Sequence, residues 1–228
     1  MRFEELNWMD VENYLKTDDR VMLVLGACEQ HGYLSLLTDS RIPQALADAA
    51  SQQSGVLVAP VLNFGVSPYF LRYPGTISLR SSTYLAVVED LLRSLYGHGF
   101  RRFMVMNGHG GNEVVGHRLI ELANEMTDLR LVFFSWWDSP VVPEVARQFN
   151  LSPNHANWLE AFSFTRVAPL PEGEKKEVHS SELVNAEKTR MLYGDGVFAG
   201  HYQASEEVMN TLFAALLSET LDMLRFAD

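Results

Sequence analysis

The feature that most constrains this chain is the alternation of short apolar runs with segments of helical periodicity. Runs at residues 21–28, 56–62, 102–107 and 129–137 have the length and the β-branched or aromatic content of strands buried on both faces. Helical spacing of apolar residues follows at 41–53, 82–97 and 113–126, and a last amphipathic segment at 206–225 begins after Ser205, a favourable N-cap. This order predicts an α/β fold with a parallel sheet covered by helices on both faces, and 228 residues suit a single domain, 1–228.

Charge and cysteine content limit which binding partners and which kinds of metal site the chain can have. The chain has 18 Lys and Arg residues against 29 Asp and Glu residues, a net charge of −11, so it has no basic footprint for nucleic acid or an anionic membrane. Cys28 is its one cysteine, which excludes an internal disulfide and a thiolate metal cage. The N-terminal residues lack a secretory signal pattern, and no apolar run reaches the roughly 20 residues of a membrane span. We expect a cytoplasmic protein acting on a small molecule.

Polar side chains collect where the predicted strands end. Glu29 and His31 follow the first run, with Asp39 eight residues beyond the histidine, and the sequence NGHGGN around His109 follows the third. Ligands bind beyond the carboxyl ends of parallel strands. Residues i and i+2 of an extended segment point the same way, so Glu29 and His31 face one pocket, whereas Asp39 is expected to return on a loop. Carboxylates and imidazoles without sulfur suit Zn, Mn or Fe(II).

Each of these motifs also has a simpler interpretation. A Glu-x-His pair is frequent by chance, NGHGGN is compatible with a tight turn or a weak phosphate cradle, and His155 and Glu160 alone are ordinary loop residues. Their convergence on several strand ends favours a functional site over structural duty. Cys28, at the end of a buried run, is predicted to be a small packing residue rather than a nucleophile or ligand.

Four motifs together resemble one known family. EQHG with a following TD, YPGTISL, NGHGGN and HANWLE are similar, in order and spacing, to the creatininase (creatinine amidohydrolase) family, and the resemblance runs from about Val21 to Glu160. It implies a three-layer αβα sandwich with a mostly parallel sheet, a centre of two divalent metals and hydrolysis of amide or related C–N bonds. It also implies a homo-oligomer, often a hexamer.

The resemblance assigns two metal-ligand sets that share one carboxylate: Glu29, Asp39 and His109 for one metal, and His31, Asp39 and Glu160 for the second. His155 falls on the family's catalytic histidine. His179 with Glu182 is a second-ranked alternative for the late motif, because it lacks a glutamate five residues after the histidine.

The chain also departs from the family pattern. The late motif is usually His-Ala-Gly-x-x-Glu-Thr-Ser, but here Asn157 follows the alanine. Tyr69 and Phe70 stand where many members have a histidine before the PGT segment, and the loop between Glu29 and Asp39 is one residue shorter. Creatininase itself has a glutamate where this chain has Gly111. These differences argue against creatinine as the substrate.

The resulting hypothesis is a metal-dependent amidohydrolase that opens a cyclic amide or formamide-type C–N bond of a small molecule through a metal-bridging hydroxide. Its cofactors are two divalent ions, Zn or Mn, with Fe(II) as a third option. His155, expected to titrate near neutrality, would move a proton to the leaving nitrogen, and Glu160 could share that work. Candidate substrate contacts are Thr76, Ser78, Gly110, Gly111, Trp136, Trp137 and Tyr69.

Three alternatives remain open from the sequence. The first is a deformylase or ring-opening hydrolase of a sugar- or nucleotide-derived compound. The second, from another class, is a catalytically silent metal-binding assembly protein that keeps the fold. The third is a peptide-maturing member of the family. A screen of small amides, formamides and lactones separates the silent protein from the enzymes.

Overall fold

A computed structural model describes residues 1–178 and 182–227. Within these residues the strands are β1 Arg20–Leu25, β2 Leu57–Val58, β3 Arg102–Asn107, β4 Arg130–Ser135, β5 Glu174–Lys175 and β6 Gly200–His201. The α-helices are α1 Trp8–Tyr14, α2 Thr38–Ser54, α3 Ser81–His98, α4 Gly116–Glu125, α5 Val141–Gln148, α6 Ala186–Tyr193 and α7 Glu206–Met223.

The central sheet is parallel, in the order β2-β1-β3-β4. β1 and β3 pair in register along their whole length, from Arg20 opposite Arg102 to Leu25 opposite Asn107. β3 and β4 also pair over six positions, which brings Asn107 opposite Ser135. The carboxyl ends of β1, β3 and β4 therefore lie side by side at one edge of the sheet. β5 and β6 form a separate antiparallel pair.

Alternate residues of the strands face two different cores. Met22 and Met104 belong to one core together with residues of α2, α5 and α7. Val21 and Phe103 belong to the other, with residues of α3 and α4. Because successive side chains of a strand point to opposite faces, the near-continuous apolar runs supply both cores at once. The predicted three-layer αβα arrangement is confirmed.

The boundaries differ from the predicted ones in identifiable places. The run at 56–62 forms only a two-residue strand, and β1 ends at Leu25, three residues before Cys28. The segment at 113–126 begins as a 3-10 turn, Gly110–Val115, before α4 starts. The Ser205 cap is as predicted, because its side chain accepts a hydrogen bond from the Val208 amide. Among the described residues, none of the helices is both long and apolar enough to cross a membrane.

Candidate metal centre

Five of the predicted ligands meet at the carboxyl edge of the sheet. The loop after β1 carries Glu29 and His31, the loop after β3 carries His109, and a 3-10 turn, Trp158–Glu160, carries Glu160. The fifth, Asp39, lies in the first turn of α2 rather than on a returning loop, which corrects the expectation for this residue. All five side chains are buried. Side chains from four separate segments of the chain thus converge on one point.

Asp39 stands between the two histidines. Its Oδ1 lies 2.9 Å from Nε2 of His31, and its Oδ2 lies 3.0 Å from Nδ1 of His109. The remaining carboxylates lie on either side: Glu160 Oε1 is 3.7 Å from His31 Nε2, and Glu29 Oε2 is 3.5 Å from His109 Nε2. The arrangement therefore forms two overlapping clusters with Asp39 in both.

These clusters coincide with the two ligand sets implied by the family resemblance. One consists of Glu29, Asp39 and His109, and the other of His31, Asp39 and Glu160; within each, one potential ligand atom per residue lies within 4.8 Å of the others. Each contains one imidazole and two carboxylates, counting Asp39 in both. Such donors suit borderline divalent cations such as zinc or manganese.

The second nitrogen of each histidine is fixed by a hydrogen bond. Nδ1 of His31 donates to the Glu29 carbonyl at 3.1 Å, and Nε2 of His109 donates to the Val66 carbonyl at 2.9 Å. A carbonyl accepts but cannot donate, so these nitrogens carry the proton. The other nitrogen of each ring faces Asp39. Metal-ligating histidines in proteins are typically held in this way by an outer hydrogen bond.

Three buried atoms of the cluster support its fit to cations. Glu29 Oε2, His31 Nε2 and Asp39 Oδ2 make no hydrogen bond of good geometry with the described residues and contact the charged groups of the cluster. A buried polar atom without a hydrogen bond is costly, and native structures rarely keep one without a functional reason. Because these three are predicted ligand atoms, the residues present fit a pair of divalent ions.

Burial and mutual charge shift the pKa values of the cluster strongly. Burial raises the pKa of Glu29 to about 7, assisted by the charge of Asp39. Burial would lower the pKa of His109, but the charges of Glu29 and Asp39 raise it to about 9, and Asp39 and Glu160 likewise hold the pKa of His31 well above its usual range. Burial opposes ionisation of Asp39, but the two histidines outweigh it and its pKa is lowered well below the usual range. Protonated imidazoles thus balance Asp39 when no cation is bound.

Glu160 is oriented by a backbone amide. The Ala156 N–H donates to its Oε2 at 2.5 Å, which leaves Oε1 facing His31. Ala156 itself has a positive φ of 61°, a conformation that non-glycine residues seldom adopt. This strained turn brings His155 and Glu160 to the same cavity. Such strain is commonly found at functional sites.

His155 lies beside the cluster in an aromatic cradle. Its ring stacks on Phe70 at 5.0 Å with an interplanar angle of 12°, and the rings of His31 and Phe198 lie at 4.6 and 4.7 Å. Its Nε2 lies 4.0 Å from Glu29 Oε1. Burial, together with the charge of His31, lowers its pKa to about 4, so the expectation of a group titrating near neutrality is wrong and His155 is neutral at pH 7.

A cavity of about 280 Å³ opens over the cluster. Asp39, His109, His155 and Glu160 reach it, and the other lining residues are Gly108, Gly110, Trp137, Pro153, Asn154 and Leu159. The candidate contacts Gly110 and Trp137 are therefore placed at the cavity.

The other candidate substrate contacts have different positions. Trp136 is buried in the core with α2 and α7, and Tyr69 is exposed while its neighbour Phe70 packs on His155. The hydroxyl of Thr76 accepts from the backbone N–H of Gln30 at 3.0 Å, and that of Ser78 accepts from the backbone N–H of Ser67 at 2.9 Å. The Thr76 hydroxyl thus holds the loop that carries Glu29 and His31, and the Ser78 hydroxyl holds the segment next to Val66, whose carbonyl accepts from His109.

Cys28 is partly buried, and its thiol donates to the Gly75 carbonyl at 3.3 Å. Among the described residues it belongs to none of the candidate ligand groups, and its role as a packing residue stays a prediction. His179 lies outside the described residues.

Two glycines let loops approach the cluster closely. A Cβ at Gly108 would lie 1.8 Å from the Asp39 carbonyl oxygen. That carbonyl would normally accept from the amide four residues on, but residue 43 is proline and has none, so β3 can end directly against α2. A Cβ at Gly111 would lie 1.8 Å from the Val66 carbonyl oxygen, the group that holds His109. Gly111 is thus subject to a packing constraint, and its role as a substrate contact stays a prediction.

Sequence reasoning left several contributors unassigned. Gln30 lies inside the EQHG motif and contacts His155, and Phe70 forms the floor under the same ring. Asn157 is fully buried and fixes the late loop. The departures from the family pattern at positions 70 and 157 were the available signals, but only the fold shows which side chains they face.

Comparison with known proteins agrees with this geometry. The family model for creatinine amidohydrolase, Creatininase, matches residues 4–224. The creatinine amidohydrolase of Pseudomonas putida is 34% identical over 157 residues, covering 63% of this chain and 60% of that enzyme. The mycofactocin precursor peptide peptidase of Mycobacterium tuberculosis is 35% identical over 107 residues, 42% of each chain. The matched part of this chain thus spans less than two thirds of either relative.

A solved creatininase mutant in a Zn–Zn form superposes with a TM-score of 0.83 at 22% identity, covering 98% of this chain and 96% of that one, which shows the shared fold. A parallel α/β domain with buried carboxylates and imidazoles at the strand ends is the architecture of an α/β protein with a metal-binding centre. The family match over nearly the whole chain makes the assignment specific: the chain belongs to the creatininase family. The homo-oligomer implied by the resemblance stays a prediction.

Proposed function

We propose that the chain is an amidohydrolase that uses two divalent cations, zinc or manganese, to cleave a C–N bond of a small molecule. The observation that carries the proposal is the shared position of Asp39, whose two oxygens face one histidine each within two ligand clusters. Two cations held in this way supply Lewis acidity, which polarises a carbonyl and activates water at neutral pH.

The ligand roles follow from the contacts. Glu29 and His109 complete the cluster on one side of Asp39, and His31 and Glu160 complete it on the other. Three buried carboxylates in one small volume repel each other unless cations compensate them. Bound divalent ions would take the place of the protons that the two histidines carry in their absence. The ligand set is therefore built for positive charge rather than for an anionic substrate.

His155 is the group best placed to move a proton. It is neutral at pH 7 and, with a pKa of about 4, a weak base, so it would hold a proton from the attacking water only in passing. Its low pKa, about 4, makes the protonated form a strong acid that gives the proton to the departing nitrogen. Phe70, stacked on the ring, and Phe198 keep water away from one side and hold the ring plane steady. Bound cations nearby would lower its pKa further.

The cavity supports a compact, uncharged substrate. Its described lining contains no lysine or arginine, so nothing there would neutralise a phosphate or carboxylate apart from the cations. Trp137, Pro153 and Leu159 offer apolar walls, while Asn154 offers an amide. A cavity of about 280 Å³ favours a small amide or cyclic amide over a long peptide. The peptide-maturing alternative is supported by the name of the mycobacterial relative alone.

The test combines metal analysis with a substrate screen. Protein purified without chelator is expected to contain close to two zinc or manganese ions per chain. Asp39→Ala should lose both ions, because its carboxylate belongs to both clusters. His155→Ala should keep both and lose about 10²- to 10⁴-fold in turnover, the usual contribution of a positioned acid or base.

Cyclic amides, formamides, lactones and short peptides serve as substrates in this screen. Full metal content without turnover of any of them would support the silent assembly protein instead. Protein that carries no metal after such a purification would contradict the proposed function.

A further inference from the structure

The geometry points to Gln30 as the positioning residue of His155: its amide holds the ring, occupies Nε2 with a hydrogen bond and so keeps the histidine out of the ligand set. This inference rests on the proposed function, because it assumes that His155 transfers protons. Gln30 is the one residue of the EQH triplet that neither ligand cluster uses, and it is buried.

The orientation of the Gln30 amide is determined by two backbone groups. Oε1 accepts from the Gly32 N–H at 3.0 Å, and Nε2 donates to the Gly196 carbonyl at 3.1 Å. Turning the amide over would place a donor against the Gly32 N–H and an acceptor against the Gly196 carbonyl. Only one orientation therefore satisfies both groups.

That orientation defines the state of His155. The same Gln30 Nε2 lies 3.0 Å from Nε2 of His155. Since an amide NH₂ can only donate, the imidazole nitrogen must be the acceptor and must carry no proton. The neutral ring then has its proton on Nδ1. Gln30 thereby selects one tautomer and one ring orientation.

Without the hydrogen bond from Gln30, His155 could instead ligate a cation. Glu29, His31 and His155 form a third group whose potential ligand atoms lie within 4.8 Å of one another. A histidine that ligates a cation through Nε2 has no lone pair left there for a proton. A hydrogen bond from Gln30 is weak enough for an incoming proton to displace, so it holds the ring without blocking its chemistry.

The hydrogen bonds that hold Gln30 against His155, called the clamp below, depend on a distant segment of the chain. Gly196 has a φ of +94°, and a Cβ there would lie 1.7 Å from Gln30 Oε1. The neighbouring Asp195 is fixed by an ion pair with Lys175 and by the Tyr202 hydroxyl, which donates at 3.0 Å. A glycine at 196 is therefore required both by the backbone conformation and by the contact with Gln30.

The primary test is a spectrum rather than an activity. In protein labelled with ¹⁵N-histidine, two-bond ¹H–¹⁵N correlation distinguishes the two neutral tautomers, and the signal that disappears in His155→Asn assigns the ring. Native protein, metal-free or zinc-loaded, is expected to show His155 with its proton on Nδ1. Gln30→Met, similar in length but without a donor, should lose this preference and give mixed tautomers. An unchanged His155 signal in this variant would overturn the proposal.

A glycine pair supplies the second test. Gly196→Ala should push Gln30 away and reproduce the effect of Gln30→Met without altering Gln30 itself. Gly194→Ala is the matched control, because Gly194 also has a positive φ, +56°, but has open space around its Cβ position. Equal His155 spectra in the two alanine variants would attribute the effect to backbone strain and contradict the clamp. If Gln30→Met does not fold, the comparison of Gly196→Ala with Gly194→Ala tests the proposal.

Kinetics on the zinc-loaded enzyme complete the design. Loss of an outer hydrogen bond that orients a catalytic group is expected to lower kcat about 10- to 100-fold in Gln30→Met, with KM within about threefold. Gln53→Leu, an exposed glutamine on α2, is the surface control. Absence of metal and of turnover in native protein would contradict the proposed function, while the tautomer experiment would still test the clamp.

Discussion

Gly111→Ala should weaken the cluster of Glu29, Asp39 and His109 without introducing any new charge. The alanine Cβ would meet the Val66 carbonyl oxygen at 1.8 Å and His109 Nε2 itself at 2.7 Å, and real Cβ contacts essentially never fall below 3.0 Å. The Cβ and the carbonyl oxygen must therefore separate by about 1.2 Å, the difference between 1.8 and 3.0 Å. The same carbonyl accepts the 2.9 Å hydrogen bond from His109 Nε2. A shift of that size removes a bond that fixes the tautomer and direction of His109.

The size of the effect follows from the role of that bond. Losing the outer partner of a metal-ligating histidine typically costs about 10- to 100-fold in metal affinity, equivalent to about 1.4 to 2.8 kcal/mol. We expect this loss for one of the two ions, because His31 is held by a different carbonyl, that of Glu29. The second cluster should keep its affinity to within about threefold.

Competition with a chromophoric chelator, read over a range of zinc concentrations, measures both affinities. Gly110→Ala is the matched control: it changes the adjacent residue, but a Cβ there has nothing within 4 Å. Circular dichroism checks that both variants fold. If Gly111→Ala binds both ions as tightly as Gly110→Ala, then the Val66 carbonyl does not support His109 as a ligand, and the reasoning is refuted.

Three further outcomes are expected. Glu160→Gln should bind one ion per chain instead of two by elemental analysis, since Glu160 belongs to a single one of the two Asp39-containing clusters; two retained ions would contradict its role. Apparent zinc affinity should rise with pH, more steeply below about pH 7 than above. The reason is that the metal must displace protons from Glu29, with a pKa of about 7, and from His109, with a pKa of about 9. A flat pH profile in chelator competition would count against these two residues as ligands. Removing the metals should lower the melting temperature by roughly 5 to 10 °C per site when the free metal concentration had been about 100 times the Kd of that site. Binding at that concentration stabilises the folded state by about 2.7 kcal/mol per site, and each kcal/mol shifts the melting temperature by about 2 to 4 °C. Identical thermal scans with and without chelator would exclude a stabilising site.

The parallel sheet could be predicted because its strands are short apolar runs whose alternate residues supply two cores. Val21 and Met22, adjacent in sequence, lie in different cores, and that requirement is visible as an uninterrupted apolar run. The run at 56–62 carried the same signal but forms only the pair Leu57–Val58, because its ladder with β1 is interrupted around Pro60. The Ala59 amide donates to the Met22 carbonyl, and the next bond to β1, from Leu62 to the Val24 carbonyl, comes one residue later than a regular ladder requires.

The ligand positions could be predicted for a similar reason, because residues that follow parallel strands must meet at one edge. Asp39 lies outside the predicted helical segment 41–53, because α2 starts at Thr38, after Leu37, a residue that makes no side-chain cap. Thr38, Asp39 and Ser40 are all favourable N-cap residues, so the sequence indicates a helix start in this region without fixing the residue. The surroundings of His155 were less accessible to sequence reasoning. Phe70, Phe198 and Gln30 reach it from three distant parts of the chain, and the pKa near 4 results from that burial.

Asn157 shows how this chain fixes its late loop at a position where the family motif usually has glycine. Its side chain makes four hydrogen bonds: Oδ1 accepts from the Asn154 and Leu159 amides, and Nδ2 donates to the Ser152 and Ala199 carbonyls. A glycine could make none of these bonds, so the loop of a glycine-containing relative must be held by other contacts. Here the amide ties Asn154, which lines the cavity, to the turn that carries Glu160. The residue that departs from the family pattern therefore couples a cavity wall to a candidate metal ligand. A difference in substrate between this chain and its relatives is best sought in that wall rather than in the ligands.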